Sequence, residues 1–137
     1  MINSRTKGAS AEREVFALIS EALGIKVERN LVQTRDGGYD TAVGGWAIEV
    51  KRQEILHLPD WWRQCCEQAK NAHFKPMLIY RKSRQPWMAR VLTRDLVETY
   101  GCLNEAPGIV ELDLPGAINL IRLNFVDICE LSPPNFP

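Results

Sequence analysis

The chain has 137 residues, 45% of them hydrophobic and 25% charged, with seventeen Lys and Arg against seventeen Asp and Glu. That is the make-up of one globular domain with a core of its own, and it excludes a disordered chain, a uniformly basic nucleic-acid coat and an acidic tail protein. No apolar stretch approaches the roughly 18 residues of a membrane span, and no apolar segment follows the basic N-terminal residues as a signal peptide requires. The expectation is a cytoplasmic protein without membrane contact, bacterial or in the host cytoplasm if phage-encoded.

In chain order, Gly8 to Leu23 reads as a helix, because Val15, Leu18, Ile19 and Leu23 recur at helical spacing between a Ser10 cap and Gly24. Ile25 to Thr34 leans towards strand, and Asp36-Gly37-Gly38 is a turn. Tyr39 to Val43 and Trp46 to Lys51 are short strands joined by Gly44-Gly45, a two-residue hairpin loop. Pro59 opens a second helix, about Asp60 to His73. Strands are predicted at Pro76 to Arg81 and Trp87 to Leu92, and a helix at Thr93 to Tyr100. Beyond it, apolar runs at Ile109 to Leu114 and Ile118 to Ile128 lie in a less regular, proline-marked segment. Cys65, Cys66, Cys102 and Cys129 have no zinc-ligand spacing and read as reduced thiols.

Charge is unevenly spread. Residues 1–52 carry a net +1, residues 53–94 a net +5 and residues 95–137 a net −6. A basic portion beside an acidic one hints at nucleic-acid contact, although a solvated basic face produces the same pattern.

The hairpin carries the sharper signal. With Gly44-Gly45 as the loop, Val43 faces Trp46, Ala42 faces Ala47, Thr41 faces Ile48 and Asp40 faces Glu49. Alternation places Thr41, Val43, Trp46, Ile48 and Val50 on one side, a core face, and Asp40, Ala42, Ala47, Glu49 and Lys51 on the other. Two carboxylates are thereby set opposite each other, with Cβ atoms roughly 4.5–5.5 Å apart, a repulsive pairing unless something lies between them. A divalent cation such as Mg²⁺ fits that position, and Lys51 on the same side suits a water or phosphate oxygen. On the residues alone a second reading stands beside this one, an exposed edge neutralised by Lys51 and Arg52.

The pattern Asp40, eight residues, Glu49-Val50-Lys51 resembles the active-site signature of the PD-(D/E)XK nuclease superfamily. Upstream, Lys7-Gly8-Ala9-Ser10-Ala11-Glu12-Arg13-Glu14 resembles the opening helix of the archaeal-type Holliday junction resolvases in that superfamily, and Val27-Glu28-Arg29 their arginine-bearing strand. Tyr39 stands where the superfamily name expects proline, and residues 95–137 have no matched counterpart.

The resemblance implies an α/β fold, a restriction-endonuclease-like core of order α-β-β-β-α-β with a mixed central sheet flanked by helices. Residues 1–94 would be that core and residues 95–137 an acidic C-terminal extension packed on the same single domain. It implies catalytic Glu12, Asp40, Glu49 and Lys51; metal ligands Asp40, Glu49 and the Val50 carbonyl; and Mg²⁺ as cofactor, with Mn²⁺ as substitute. Lys7, Arg13 and Arg29 would contact DNA. The turn Arg81-Lys82-Ser83-Arg84 reads either as a phosphate-gripping loop, through Arg81, Lys82 and Arg84, or as an ordinary surface turn. Gln64, with Gln68 as second choice, is a candidate accessory to the active site or part of a solvated helix face. Trp61 and Trp62 read as packing residues, with base stacking as the alternative.

The function so implied is a metal-dependent endodeoxyribonuclease, first of all a Holliday junction resolvase acting as a homodimer on branched DNA. The alternatives are a restriction-like or other structure-specific nuclease of the same superfamily, or a catalytically silent DNA-binding module.

Overall fold

The computed structural model describes residues 4–30, 38–99 and 108–125, with no side-chain description for residues 4–7 and 97–99. Helix α1 (Ser4–Leu23) is followed by a hairpin of β1 (Thr41–Val43) and β2 (Trp46–Arg52). Helix α2 (Leu58–Asn71) then leads to β3 (Lys75–Arg81) and β4 (Met88–Leu92), and helix α3 (Thr93–Thr99) to β5 (Ile109–Asp113) and helix α4 (Leu114–Phe125). The five strands form one sheet in the order β1-β2-β3-β4-β5. Only β2 and β3 run parallel, as the α2 crossover between them requires, and the other neighbours are antiparallel. The expected mixed sheet flanked by helices is present.

The β1–β2 register is the predicted one: Thr41 pairs with Ile48, Ala42 with Ala47 and Val43 with Trp46. Gly44 and Gly45 both have positive φ, 56° and 85°, which is the backbone a two-residue loop needs to follow the twist of its strands. The expected core face is also observed. Val43, Trp46, Ile48 and Val50 join Ala11, Val15 and Ile19 of α1 and Met77, Ile79, Ala89 and Val91 of the sheet in one buried cluster. A second, smaller cluster on the opposite face packs Trp61 and Cys65 of α2 on Leu78 and Tyr80.

Two segments depart from the expectation. Residues 26–30 form no strand; they are held beside the hairpin by Asn30 N–H to Asp40 O (2.7 Å), Thr41 Oγ1 to Glu28 O (2.5 Å) and Asn30 Nδ2 to Tyr39 O (3.1 Å). Two of these three bonds use a side chain, so no backbone ladder develops. The rest of that expected strand, and Cys102 and Cys129, lie outside the described residues.

The C-terminal segment is more regular than its prolines suggest. Ile109–Asp113 pairs along β4, and Leu114, Ala117, Ile118, Leu120 and Ile121 of α4 enter the larger core cluster. Asp113 caps α4, its Oδ1 accepting the Gly116 N–H at 2.8 Å, with Pro115 in the first turn, where a missing N–H costs nothing. Among the described residues, no helix is long and apolar enough to cross a membrane.

Candidate active site

Strand β1 is short, and its pairing with β2 stops at Thr41. The N–H of Val50 therefore has no strand partner on that side, and the Asp40 carboxylate takes it, Oδ2 accepting at 2.7 Å. Asp40 donates its own N–H to Ile48 O at 3.0 Å. These bonds hold a carboxylate that is only 2% exposed at the end of the hairpin, one position beyond the Thr41–Ile48 pair and close enough for its charge to act on Glu49.

Glu49 is 4% exposed. Lys51, two residues along the same strand and hence on the same face, places Nζ 3.4 Å from Glu49 Oε1. Glu49 Oε2 is buried with no hydrogen-bond partner among the described residues. Burial, and then the negative charge of Asp40, push the Glu49 carboxyl from its usual value near 4.5 up to about 8, against the pull of Lys51. Glu12 reaches the same carboxylates from α1, at the margin of the face that buries Ala11, Val15 and Ile19. Its carboxyl is pushed up to about 7, first by burial and then by Asp40, while Arg29, with Nε 3.2 Å from Glu12 Oε2, opposes the shift. Three acids thus crowd one corner of the molecule with less positive charge than they need.

That imbalance fits a divalent cation. A buried carboxylate oxygen without a donor is costly unless a charge meets it, and Asp40, Glu49 and the intervening main chain are the hard oxygen donors that Mg²⁺ prefers. Among the described residues no three His, Cys, Asp or Glu side chains close into a ready-made cage. Two carboxylates and a strand carbonyl would be the protein's donors to such an ion, with water completing its coordination, which is how Mg²⁺ is commonly held. Such an ion supplies Lewis-acid stabilisation of charge on a phosphoryl oxygen.

A protein-family model described as "Phage putative PDDEXK endonuclease" matches residues 3–106, three quarters of the chain. The chain belongs to that family. Among solved structures it is similar to Hjc of Archaeoglobus fulgidus, a Holliday junction resolvase from an archaeal hyperthermophile, with 21% identity and a TM-score of 0.47, covering 78% of this chain and 84% of that one. No curated protein matches it.

Tyr39, in the position that gives the family name its first letter, packs edge-on against Phe74 with ring centroids 5.7 Å apart. Arg13 is exposed on α1 and, with Ala9, Glu12, Phe16 and Arg29, lines a shallow cavity of about 180 Å³ beside the acids. Lys7 lies in the first turns of α1, its side chain outside the described residues.

The basic turn divides in two. Arg81 is drawn inward: its terminal nitrogen bonds Glu14 Oε2 at 3.1 Å and its guanidinium stacks 4.5 Å from the Trp87 ring, whose Nε1 donates to Glu14 Oε1. Lys82 and Arg84 are exposed, Arg84 with φ of 68°.

On α2 the buried face is Trp61, Cys65 and Ala69. Gln64 is exposed and Gln68 half-buried beside that face, so the structure brings the second-choice glutamine, and not the first, towards the sheet. Helical spacing from Trp61 and Cys65 carries that signal, since Gln68 lies three residues beyond Cys65. Cys65 itself is close enough to Glu49 and Asp40 to feel their charge, and burial with those acids pushes its thiol up, which keeps it protonated and unreactive. Cys65 and Cys66 are both free thiols. Residues whose partners the sequence did not reveal are Glu14, bonded 67 and 73 positions away, and Arg52, whose neighbour depends on the strand register.

Proposed function

We propose that this protein is a Mg²⁺-dependent endodeoxyribonuclease that cleaves branched DNA, four-way junctions above all, as a homodimer. The observation that carries the reading is the buried Asp40–Glu49 pair with an unpartnered Glu49 oxygen and Lys51 at 3.4 Å. Lys51 meets one Glu49 oxygen, and the other is buried without a partner among the described residues, the position a cation would take. Asp40 and Glu49 would hold Mg²⁺, or Mn²⁺ in its place, with the Val50 carbonyl as a further donor. Held on a rigid strand, Lys51 orients the attacking water against the scissile phosphate and balances charge that grows on the phosphoryl oxygens. Glu12 holds the far side of the acidic corner, and Arg29 fixes the Glu12 carboxylate in place. Residues 1–94 carry this chemistry, and residues 95–137 extend the same domain.

The preference for junctions rests on the likeness of Lys7-Gly8 and Glu12-Arg13-Glu14 to the opening helix of junction resolvases. Paired cuts across a junction call for two active sites related by a two-fold axis, hence a homodimer. The test offers a synthetic four-way junction and the matching linear duplex to the protein, with Mg²⁺ and with chelator. Faster cutting of the junction, lost on chelation, is expected. Absence of cleavage of either DNA in Mg²⁺ and in Mn²⁺ overturns the enzyme, and equal cleavage of the two overturns the junction preference.

A further inference from the structure

The parallel pairing of β2 with β3 puts Arg52 directly beside Arg81. Register partners on neighbouring strands point to the same face, and Arg81 identifies that face as the α1 side, because it reaches Glu14 there. Two guanidinium groups therefore stand together at the carboxyl ends of the two parallel strands, with Glu14 bonded to Arg81. The Arg52 side chain has no ion pair or hydrogen bond to any described residue, yet its Nε is buried. So is the Nε of Arg81, whose planar group is held by the Trp87 ring and the Glu14 carboxylate. A third buried donor without a described partner, Ser83 Oγ, lies in the turn that follows β3.

Three sheltered donor atoms without a partner among the described residues, two of them on guanidinium groups, suit an anion. A buried charged donor without a partner is costly, and a guanidinium edge presents parallel N–H groups at the spacing of phosphate oxygens. The carboxyl ends of parallel strands are also where α/β folds receive their ligands. Arg52 follows Lys51 in the chain and projects to the opposite face of β2, so the arginine pair stands at the same end of the strand as Lys51, within one residue of it along the chain.

We infer that Arg52, together with Arg81 and Ser83, forms a clamp for a backbone phosphate flanking the scissile one. The inference rests on the nuclease reading above and adds a binding residue to it. The clamp reads no base; it sets the register of the strand over Asp40 and Glu49. Arg81 is fixed by Glu14 and Trp87 and acts as the rigid half, while Arg52 is the half left for the ligand.

The experiment measures anisotropy of a fluorescein-labelled duplex and of a four-way junction in chelator, where nothing is cut, across a KCl series. Arg52→Gln is expected to weaken binding of both DNAs about tenfold and to reduce the slope of log affinity against log salt by about one. Its Tm should stay close to that of the unaltered protein, since Arg52 bonds no side chain among the described residues. Arg52→Lys, which keeps the charge and loses the fork, should retain the slope and bind more weakly than the unaltered protein. An unchanged affinity and slope in Arg52→Gln overturn the clamp. If Arg52→Gln lowers Tm, Arg52→Lys decides, and wild-type affinity in that variant overturns the clamp. The two readings fail separately: cleavage by the unaltered protein with full binding by both variants removes the clamp and leaves the nuclease, whereas no DNA binding by the unaltered protein removes both.

Discussion

Asp40 does two things at once: it completes the edge of β2 by accepting the Val50 N–H, and it charges the corner in which Glu12 and Glu49 are buried. Asp40→Asn keeps a carbonyl oxygen for that N–H while removing the charge. Cleavage should fall by at least 10³-fold, in line with loss of a metal ligand, while DNA binding in chelator stays within a few-fold. Turnover near the unaltered rate would place the metal elsewhere. The same charge sets a pH dependence of stability. Glu12 and Glu49 have folded values raised to about 7 and about 8 from 4.5, so the folded state holds protons that the unfolded chain has released between those limits. Their contribution to stability is full below about 4.5 and is lost as pH rises through about 8. The Tm of the metal-free protein should fall as pH rises across that window. Mg²⁺ should restore the loss at the alkaline end, and Asp40→Asn should flatten the profile. A Tm that rises with pH in the metal-free protein would refute the crowding of acids described above.

At the scale of elements, the hairpin and the C-terminal helix depend on single residues. Gly44 has a φ of 56°, and a Cβ there would lie 3.1 Å from Phe125 Cε2 and 3.3 Å from the Ile121 carbonyl oxygen. Gly44→Ala should cost about 2 kcal/mol, from the left-handed backbone and from the displaced α4 end, and the loss is measurable by urea unfolding. Because the turn sets the register of Asp40 against Glu49, cleavage should fall with it. Asp113→Ala removes the cap of α4 and should cost about 1 kcal/mol with the active site untouched, so its cleavage rate at low temperature should be unaltered. These elements were legible in unequal measure. The hairpin, its register and its core face follow from two glycines and strict alternation. The Asp113-Leu114-Pro115 start of α4 was equally present in the chain, but its proline reads as a breaker until the preceding aspartate is recognised as a cap. The expected strand over residues 25–34 reflects β-leaning residues, whereas residues 26–30 find their partners mainly through the side chains of Thr41 and Asn30.

For the whole molecule, the neutral charge total conceals a net +6 over residues 1–94 and −6 over residues 95–137. The structure shows where part of that acidity goes. Asp95 is buried, Glu111 accepts from Tyr80 at 2.7 Å and from Arg90 at 2.5 Å, and Asp113 caps a helix. Asp95 is thus buried, whereas Glu111 and Asp113 stay at the surface with their charge met by Arg90 and by a helix N-terminus. The same segment supplies an edge strand and five buried apolar residues of α4. A chain ended at residue 94 should therefore lose cooperative unfolding, as read by circular dichroism on heating, and cleavage with it. A sharp transition in the shortened chain would show that residues 1–94 fold unaided.

By itself the sequence determined most of the elements before residue 95, the hairpin register and the placing of Asp40, Glu49 and Lys51 on one face, because these depend on spacings of two to ten residues that alternation, helical periodicity and turn chemistry make explicit. Glu12 joined that set only through the family resemblance. Only the tertiary structure decided which charges meet across the chain. Glu14 with Arg81 and Trp87, Arg29 with Glu12, and Arg52 beside Arg81 join residues up to 73 positions apart. Such pairings follow from the parallel register of β2 with β3 and the seating of α1 on the sheet, and neither leaves a local mark in the chain. The seventeen acids and seventeen bases are the same in both views; the tertiary structure decides which of them are paired at the surface and which, as at Asp40 and Glu49, are buried together.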